Sequence, residues 1–311
     1  MPLAFSTLGC PGDTLAQVMA TARDSGATGL EIRVADEEFV HSGMDKDARA
    51  AVASALADAG LTLVTLASYV RVCAPTEFAA AHAQGASNAE DPVLADLLSA
   101  LELAADLSVG NAGAGAQLRV FPGAGINPCE SGAEPSPELV AADRLGARRL
   151  SAAAPRAREL GVTILLETHD SHPRASDVVR ILEHVDPNVP VKVIWDLMHP
   201  WRYDERPQRT AELLAGSLAY AQFKDGVRNP GEHTVTLTLP GQGELPLARM
   251  HALAADLAAA DGTTDPWVSL EWERAWHPEL PPVAEALASL KAVLVNPPAV
   301  RQEADAQSRA V

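Results

Sequence analysis

The sequence predicts an α/β fold, a single (β/α)8 TIM barrel in which eight parallel strands close into one sheet. Three observations carry this: a helix–glycine–strand phrase that repeats along the chain, strands that are short and apolar on both faces, and a length of 311 residues, within the range of one such barrel. Strands without a polar face must be covered on both sides, as parallel strands wrapped by helices are. An open doubly wound sheet is the rival arrangement. It calls for a glycine-rich phosphate turn after the first strand, and FSTLGCPGD (5–13) lacks the GxGxxG spacing.

Taken in order, the first strand is expected at 3–8. A helical stretch from Asp13 to Ser25, with Leu15, Val18, Met19 and Ala22 at helical spacing, stops at Gly26 and hands over to GLEIRV, a strand at 29–34. The phrase recurs as a 46–59 helix, Gly60 and a strand at 61–67, and again as a helix through Leu160, Gly161 and a strand at 162–167, with glycine each time at the helix C-cap. Strands at 117–121, 191–196, 218–223 and 267–271 complete the eight, with helical patterns between or after them. The segments 75–91 and 122–137 read as loops after strands, which in a barrel places them on the catalytic face. GNAGAG (110–115) precedes a strand and reads as a turn, not a phosphate cradle. The barrel should span 1–296, and the polar tail 297–311 should be disordered.

Composition narrows the function. With 47% hydrophobic and 21% charged residues the chain is an ordinary globular protein able to bury a large core. The formal charge of −17, from 24 basic and 41 acidic residues, repels polyanions, so nucleic acid and anionic membranes are not expected partners. No apolar run is long enough to span a membrane, and MPLAFSTLG has no basic leader, so the chain is expected to start at or near Met1 and to be cytoplasmic. Cys10, Cys73 and Cys129 are odd in number and widely spaced, which suits packing thiols in a reducing compartment.

A barrel builds its site from residues at strand C-termini. Here these are Glu31 and Arg33, Arg119, Glu167 and His169, Asp196 and His199, Gln222 and Lys224, and Glu271 and Glu273. Glu167, Asp196, Gln222 and Glu271 are oxygen donors on four consecutive strands. Converging carboxylates repel one another and take up protons unless a cation sits among them. An all-oxygen set favours one divalent ion, Mn²⁺ or Mg²⁺, over Zn²⁺, with Co²⁺ a possible substitute. His199 falls just past its strand, where it can act in catalysis or hydrogen-bond a substrate oxygen. Arg33, His169, Lys224 and Arg228 are candidates for holding an anionic or hydroxyl-rich substrate. Trp195, with Trp201, Trp272 and Trp276 near the same ends, offers either a platform for a sugar ring or packing under loops.

With these residues in view, the chain resembles the xylose isomerase-like TIM-barrel superfamily of sugar phosphate isomerases and epimerases. The resemblance rests on GLEIR (29–33), LRVFPG (118–123), LLETHD (165–170), IWDLMHPWR (194–202), QFKDG (222–226), LEWE (270–273) and WHPE (276–279). It implies that Glu167 and Glu271 are both metal ligands and an acid/base pair, as in ketose 3-epimerases, that Asp196 is a ligand, and that His199 and Arg228 hold substrate oxygens. Gln222 departs from the pattern, since most relatives carry His there in an HxKD motif. Glutamine can ligate through its amide oxygen, and some 3-dehydroshikimate dehydratases of the superfamily look similar. Endonuclease IV, another relative, needs a histidine cluster on strands 2 and 3 that this chain lacks. The expected function is a metal-dependent isomerase or epimerase of a keto-sugar acting through an enediolate on a small polyhydroxylated substrate. The alternatives are a dehydratase of the dehydroshikimate or keto-inositol type, or a non-catalytic barrel that binds a sugar or serves as a subunit of a larger complex. A homo-oligomer is possible.

Overall fold

The computed structural model describes residues 1–76, 91–111 and 115–296. Among these, the strands are β1 (Leu3–Ser6), β2 (Gly29–Arg33), β3 (Thr62–Arg71), β4 (Ala116–Phe121), β5 (Val162–Glu167), β6 (Val191–Asp196), β7 (Leu218–Phe223), β8 (Asp225–Arg228), β9 (Val235–Thr238) and β10 (Val268–Leu270). All but β8 and β9 join one closed barrel in the order β1-β10-β7-β6-β5-β4-β3-β2, and every pairing in it is parallel. The eight-stranded barrel is the fold the sequence predicts.

The helices are α1 (Leu15–Ser25), α2 (Lys46–Asp58), α3 (Pro92–Leu107), α4 (Pro137–Leu160), α5 (Ala175–Leu182), α6 (Met198–Arg202), α7 (Pro207–Leu214), α8 (Leu247–Ala260) and α9 (Val283–Val295). Their starts are chemically marked. Thr14 and Gln17 form a capping box on α1, and Asp45, Asp91 and Ser136 accept from the first-turn backbone N–H groups of α2, α3 and α4. Gly26 and Gly161 close α1 and α4 in the left-handed conformation, at φ 73° and 66°. No described helix is long and apolar enough to cross a membrane.

Several boundaries move. β1 ends at Ser6, because Ser6 caps a short 3-10 turn over Thr7–Gly9. β3 runs on to Arg71, where β4 continues to pair with it. Gly60 follows the α2 C-cap, Ala59, by one residue. The antiparallel β8–β9 hairpin, absent from the sequence reading, stands outside the barrel and is pinned by Asp225, whose carboxylate accepts from the N–H groups of Gly226, Gly241, Gly243 and Leu245. The 122–136 stretch is loop as expected. Most of the expected 75–91 loop (77–90), the middle of the GNAGAG turn (112–114) and the expected disordered tail (297–311) lie outside the described residues.

Strand alternation sorts the side chains into two environments. Leu30, Leu118, Ile164, Val193 and Phe223 face outward into the main core between sheet and helices. Ala4, Val64, Leu165, Ile194 and Tyr220 point inward and form a small apolar cluster within the barrel. One step further along the strands the inward positions turn polar: Glu31, Arg119, Glu167, Asp196, Gln222 and Ser269 are all buried.

Candidate metal centre

Register brings the donors together. Asp196 on β6 pairs with Gln222 on β7, Gln222 pairs with Ser269 on β10, and Glu271 follows two residues later on the same face. Glu167 ends β5 beside Ile194 of β6. Glu167, Asp196 and Glu271 each present an oxygen within 4.8 Å of the others. The Gln222 amide is oriented: Nε2 donates to Glu31 Oε2 at 2.8 Å, and Oε1 is buried with no hydrogen-bond partner. Glu167 Oε1 is likewise buried and unpartnered. A buried acceptor without a donor is costly, and two of them beside clustered carboxylates form a set that a hard divalent cation would satisfy. The residues present fit such an ion.

Two fixed cations share the site. Lys224 Nζ lies 2.8 Å from Asp196 Oδ2, 2.5 Å from Glu271 Oε2 and 2.6 Å from Glu273 Oε1. Arg119 Nη1 lies 3.2 Å from Glu167 and 3.5 Å from Glu271. Burial disfavours the Lys224 ammonium, but the charges of Asp196, Glu271 and Glu273 outweigh it and hold the amine protonated, well above its ordinary range. Burial drives Glu167 well up, opposed by Arg119 and Lys224 and reinforced by Glu271 and Asp196. Glu31 is pushed up to about 7 by burial and by Glu271, against hydrogen bonds from Ser269 and Gln222.

The histidines line the other side. Asp196 Oδ1 accepts from the backbone N–H groups of Met198 at 2.8 Å and His199 at 3.2 Å, which starts α6 and buries His199 with Nε2 3.5 Å from Asp196 Oδ2. Burial lowers the His199 pKa well below its ordinary value, with Arg202, His169 and Lys224 adding to the effect, so the ring is neutral at pH 7. His169 stacks on Phe121 with ring centroids 4.1 Å apart and meets His199 edge-on at 4.7 Å. Its turn is fixed by reciprocal backbone bonds with His172 and by a buried chain in which Ala124 N–H donates to Ser171 Oγ, Ser171 to His172 Nδ1 at 2.9 Å, and His172 Nε2 to Asp143 at 2.6 Å. The tautomer is the one this chain of donors requires.

Other expected site residues are placed differently. Trp195 alternates with the inward Ile194 and Asp196, so it lies fully buried in the sheet–helix core and is not brought to the mouth. Trp272 shares that core and donates Nε1–H to Pro281 O at 2.8 Å. Trp276 is 55% exposed, with the Arg33 guanidinium over its ring at 5.1 Å. Arg33 spends its donors on Tyr69, Glu38 and Glu37. Arg228 stacks on Trp201 at 4.2 Å and bonds to Trp201 O and Asp204. The Lys224 ammonium, expected to meet substrate, is enclosed by three carboxylates. Sequence reasoning named no role for Glu31, Phe121, Arg119 or Glu273. The period of two could have found Phe121, which shares its face with Arg119.

The family profile of the xylose isomerase-like TIM barrel matches residues 19–293. No curated protein matches the chain significantly. Among solved structures, the probable 3-DHS dehydratase AsbF of Bacillus anthracis is similar over 96% of this chain and 100% of its own, with 15% identity and a TM-score of 0.64. D-psicose 3-epimerase from Clostridium cellulolyticum H10 is similar over 94% of this chain and 99% of its own, at 15% identity and 0.66. The IolI protein, solved with a bound zinc atom, is similar over 95% of this chain and 97% of its own, at 15% identity and 0.66. At these identities the structural likeness is one of fold, and with the profile match across most of its length the chain belongs to the xylose isomerase-like TIM-barrel family.

Proposed function

We propose that this protein is a divalent-metal-dependent isomerase or epimerase that removes a proton next to the carbonyl of a small polyhydroxylated ketone. The observation that carries it is the convergence of Glu167, Asp196, Gln222 and Glu271, with Glu167 Oε1 and Gln222 Oε1 buried and unpartnered. An ion held by these four, Mn²⁺ or Mg²⁺ with Co²⁺ as a substitute, would polarise the carbonyl and acidify the adjacent C–H. Glu167 and Glu271 are the acid/base pair, one taking the proton and the other returning it. Arg119 lies against both and Lys224 against Glu271, and at Glu167 these positive charges oppose the burial that drives its pKa up. Neutral His199 can accept from or donate to a substrate hydroxyl. His169, edge-on to His199, is a further contact for substrate oxygens. The reaction suits a cytoplasmic enzyme of carbohydrate metabolism.

The test is metal content after Mn²⁺ loading and desalting, together with deuterium uptake from D₂O by ketoses and keto-cyclitols. One equivalent in the native protein, lost in Glu167→Ala and weakened in Gln222→Ala, with deuterium uptake lost in Glu167→Gln, is expected. Absence of metal under every loading condition would overturn the proposal and leave a sugar-binding barrel. A second reading, elimination of water from a β-hydroxy ketone, is favoured by the His169–His199 pair, which places proton-carrying groups beside the carboxylates for a leaving hydroxyl. An ultraviolet-absorbing conjugated product would distinguish it.

A further inference from the structure

Glu167 belongs to two groups of ligand atoms. Besides Asp196 and Glu271, it lies with His169 and His199 in a set whose ligand atoms are all within 4.8 Å of one another. We propose that Glu167, His169 and His199 form a second cation position at the mouth, one that takes a borderline transition ion of the Zn²⁺ class and shares Glu167 with the four-oxygen set.

Donor chemistry separates the two positions. Two imidazoles and one carboxylate select Zn²⁺ or Co²⁺, whereas an oxygen-only set suits Mg²⁺ or Mn²⁺. The ligands are also prepared. Arg119 engages Glu167 Oε2 and leaves Oε1 buried and unpartnered. Asp170 Oδ1 lies 2.9 Å from His169 Nδ1, which leaves His169 Nε2 for a ligand, and His199 Nε2 stands 3.5 Å from Asp196 Oδ2. His199 Nδ1 is buried without a hydrogen-bond partner. A carboxylate behind an imidazole, as Asp170 is behind His169, is the arrangement that fixes ring orientation at metal sites.

The backbone adds an independent sign of construction. Asp170 is held at φ 48°, a left-handed conformation uncommon for a residue other than glycine, between the reciprocal bonds that tie His169 to His172. Phe121 stacks on the His169 ring and helps to hold its plane. The His169 side chain is still 26% exposed, so an ion here would keep a position open to water or substrate. Because Glu167 serves both sets, occupancy at one position draws on the carboxylate of the other, and the two are coupled.

The experiment is equilibrium dialysis of the metal-stripped full chain against Zn²⁺ in millimolar Mg²⁺, with bound metals counted by elemental analysis. One equivalent of Zn²⁺ retained against Mg²⁺, lost in His169→Ala and in His199→Gln but kept in Gln222→Ala, is expected. Asp170→Asn keeps a residue type that tolerates the left-handed turn, and should weaken Zn²⁺ about ten- to a hundredfold while the circular dichroism spectrum is unchanged. That variant carries the test if a histidine variant fails to fold. Zn²⁺ displaced by Mg²⁺, or Zn²⁺ lost in Gln222→Ala and indifferent to both histidines and to Asp170, would overturn the second position. That outcome is separable from failure of the enolising reading, which is judged by Mn²⁺ at the four-oxygen set and by deuterium uptake.

Discussion

Lys224 shows how much a single side chain can decide. It is 1% exposed and its ammonium contacts Asp196, Glu271 and Glu273, so its removal leaves like charges buried together. Lys224→Met should destabilise the metal-free protein by about 3–5 kcal/mol, the usual effect of breaking a buried ion pair. Added Mn²⁺ should restore part of that stability, and urea melts with and without the ion would show both effects. A variant that melts like the native protein would mean that the three Lys224 contacts do not hold the fold. The four oxygen donors were legible in the sequence because each ends an apolar strand, and that position depends only on strand period and the place of a barrel site. Lys224's role was not, because the spacing Gln-x-Lys says nothing about where a flexible four-carbon stem carries its charge. Trp195 was misread for a simpler reason: adjacent strand residues face opposite sides, so Trp195 and Asp196 cannot both point into the barrel.

At the scale of elements, α4 packs so closely on the loop after β3 that a side chain at Gly146 would collide with it. A Cβ there would lie 2.4 Å from the Sγ of buried Cys73, while Arg149 one turn later donates to Val72 O and Ala74 O. Gly146→Ala should therefore cost about 1–3 kcal/mol through overpacking, measurable as a lower Tm. The same helix carries Asp143, the anchor of the His172 chain. Burial raises its pKa, but the His172 hydrogen bond and the Arg180 charge outweigh it and hold the carboxylate below its ordinary value of 3.8. A depressed carboxylate binds fewer protons folded than unfolded, so its stabilisation is present above that ordinary value and is lost as pH falls through the folded one. Asp143→Asn should remove this acid-side loss, giving a flatter profile of stability below about pH 4 in chemical denaturation. Eight strands could be read from the chain because each buries two apolar faces. The β8–β9 hairpin was not read: Asn229, Pro230 and Gly231 mark a turn and VTLT alternates in β9, but its partner β8, DGVR, carries a single large apolar residue and so no strand pattern.

For the whole molecule, the site's negative charge is met by Lys224 and Arg119 before any ion arrives. Chelation should therefore leave the barrel folded, and a far-ultraviolet melt in EDTA should stay cooperative with a Tm lowered only by the loss of ligand binding. Unfolding on chelation would show instead that the ion fastens the fold, as in small zinc domains. The apolar cluster of Ala4, Val64, Leu165, Ile194 and Tyr220 has one more effect. It closes the barrel beneath the polar layer with side chains that cannot relay a proton along a hydrogen-bonded chain, Tyr220 apart, whose hydroxyl is buried. In the proposed reaction a proton taken by Glu167 would have no exit downward and would leave through the mouth. Solvent label should then reach the carboxylates through the mouth alone, so the isotope ledger of a single turnover would report how far a seated molecule stoppers that route.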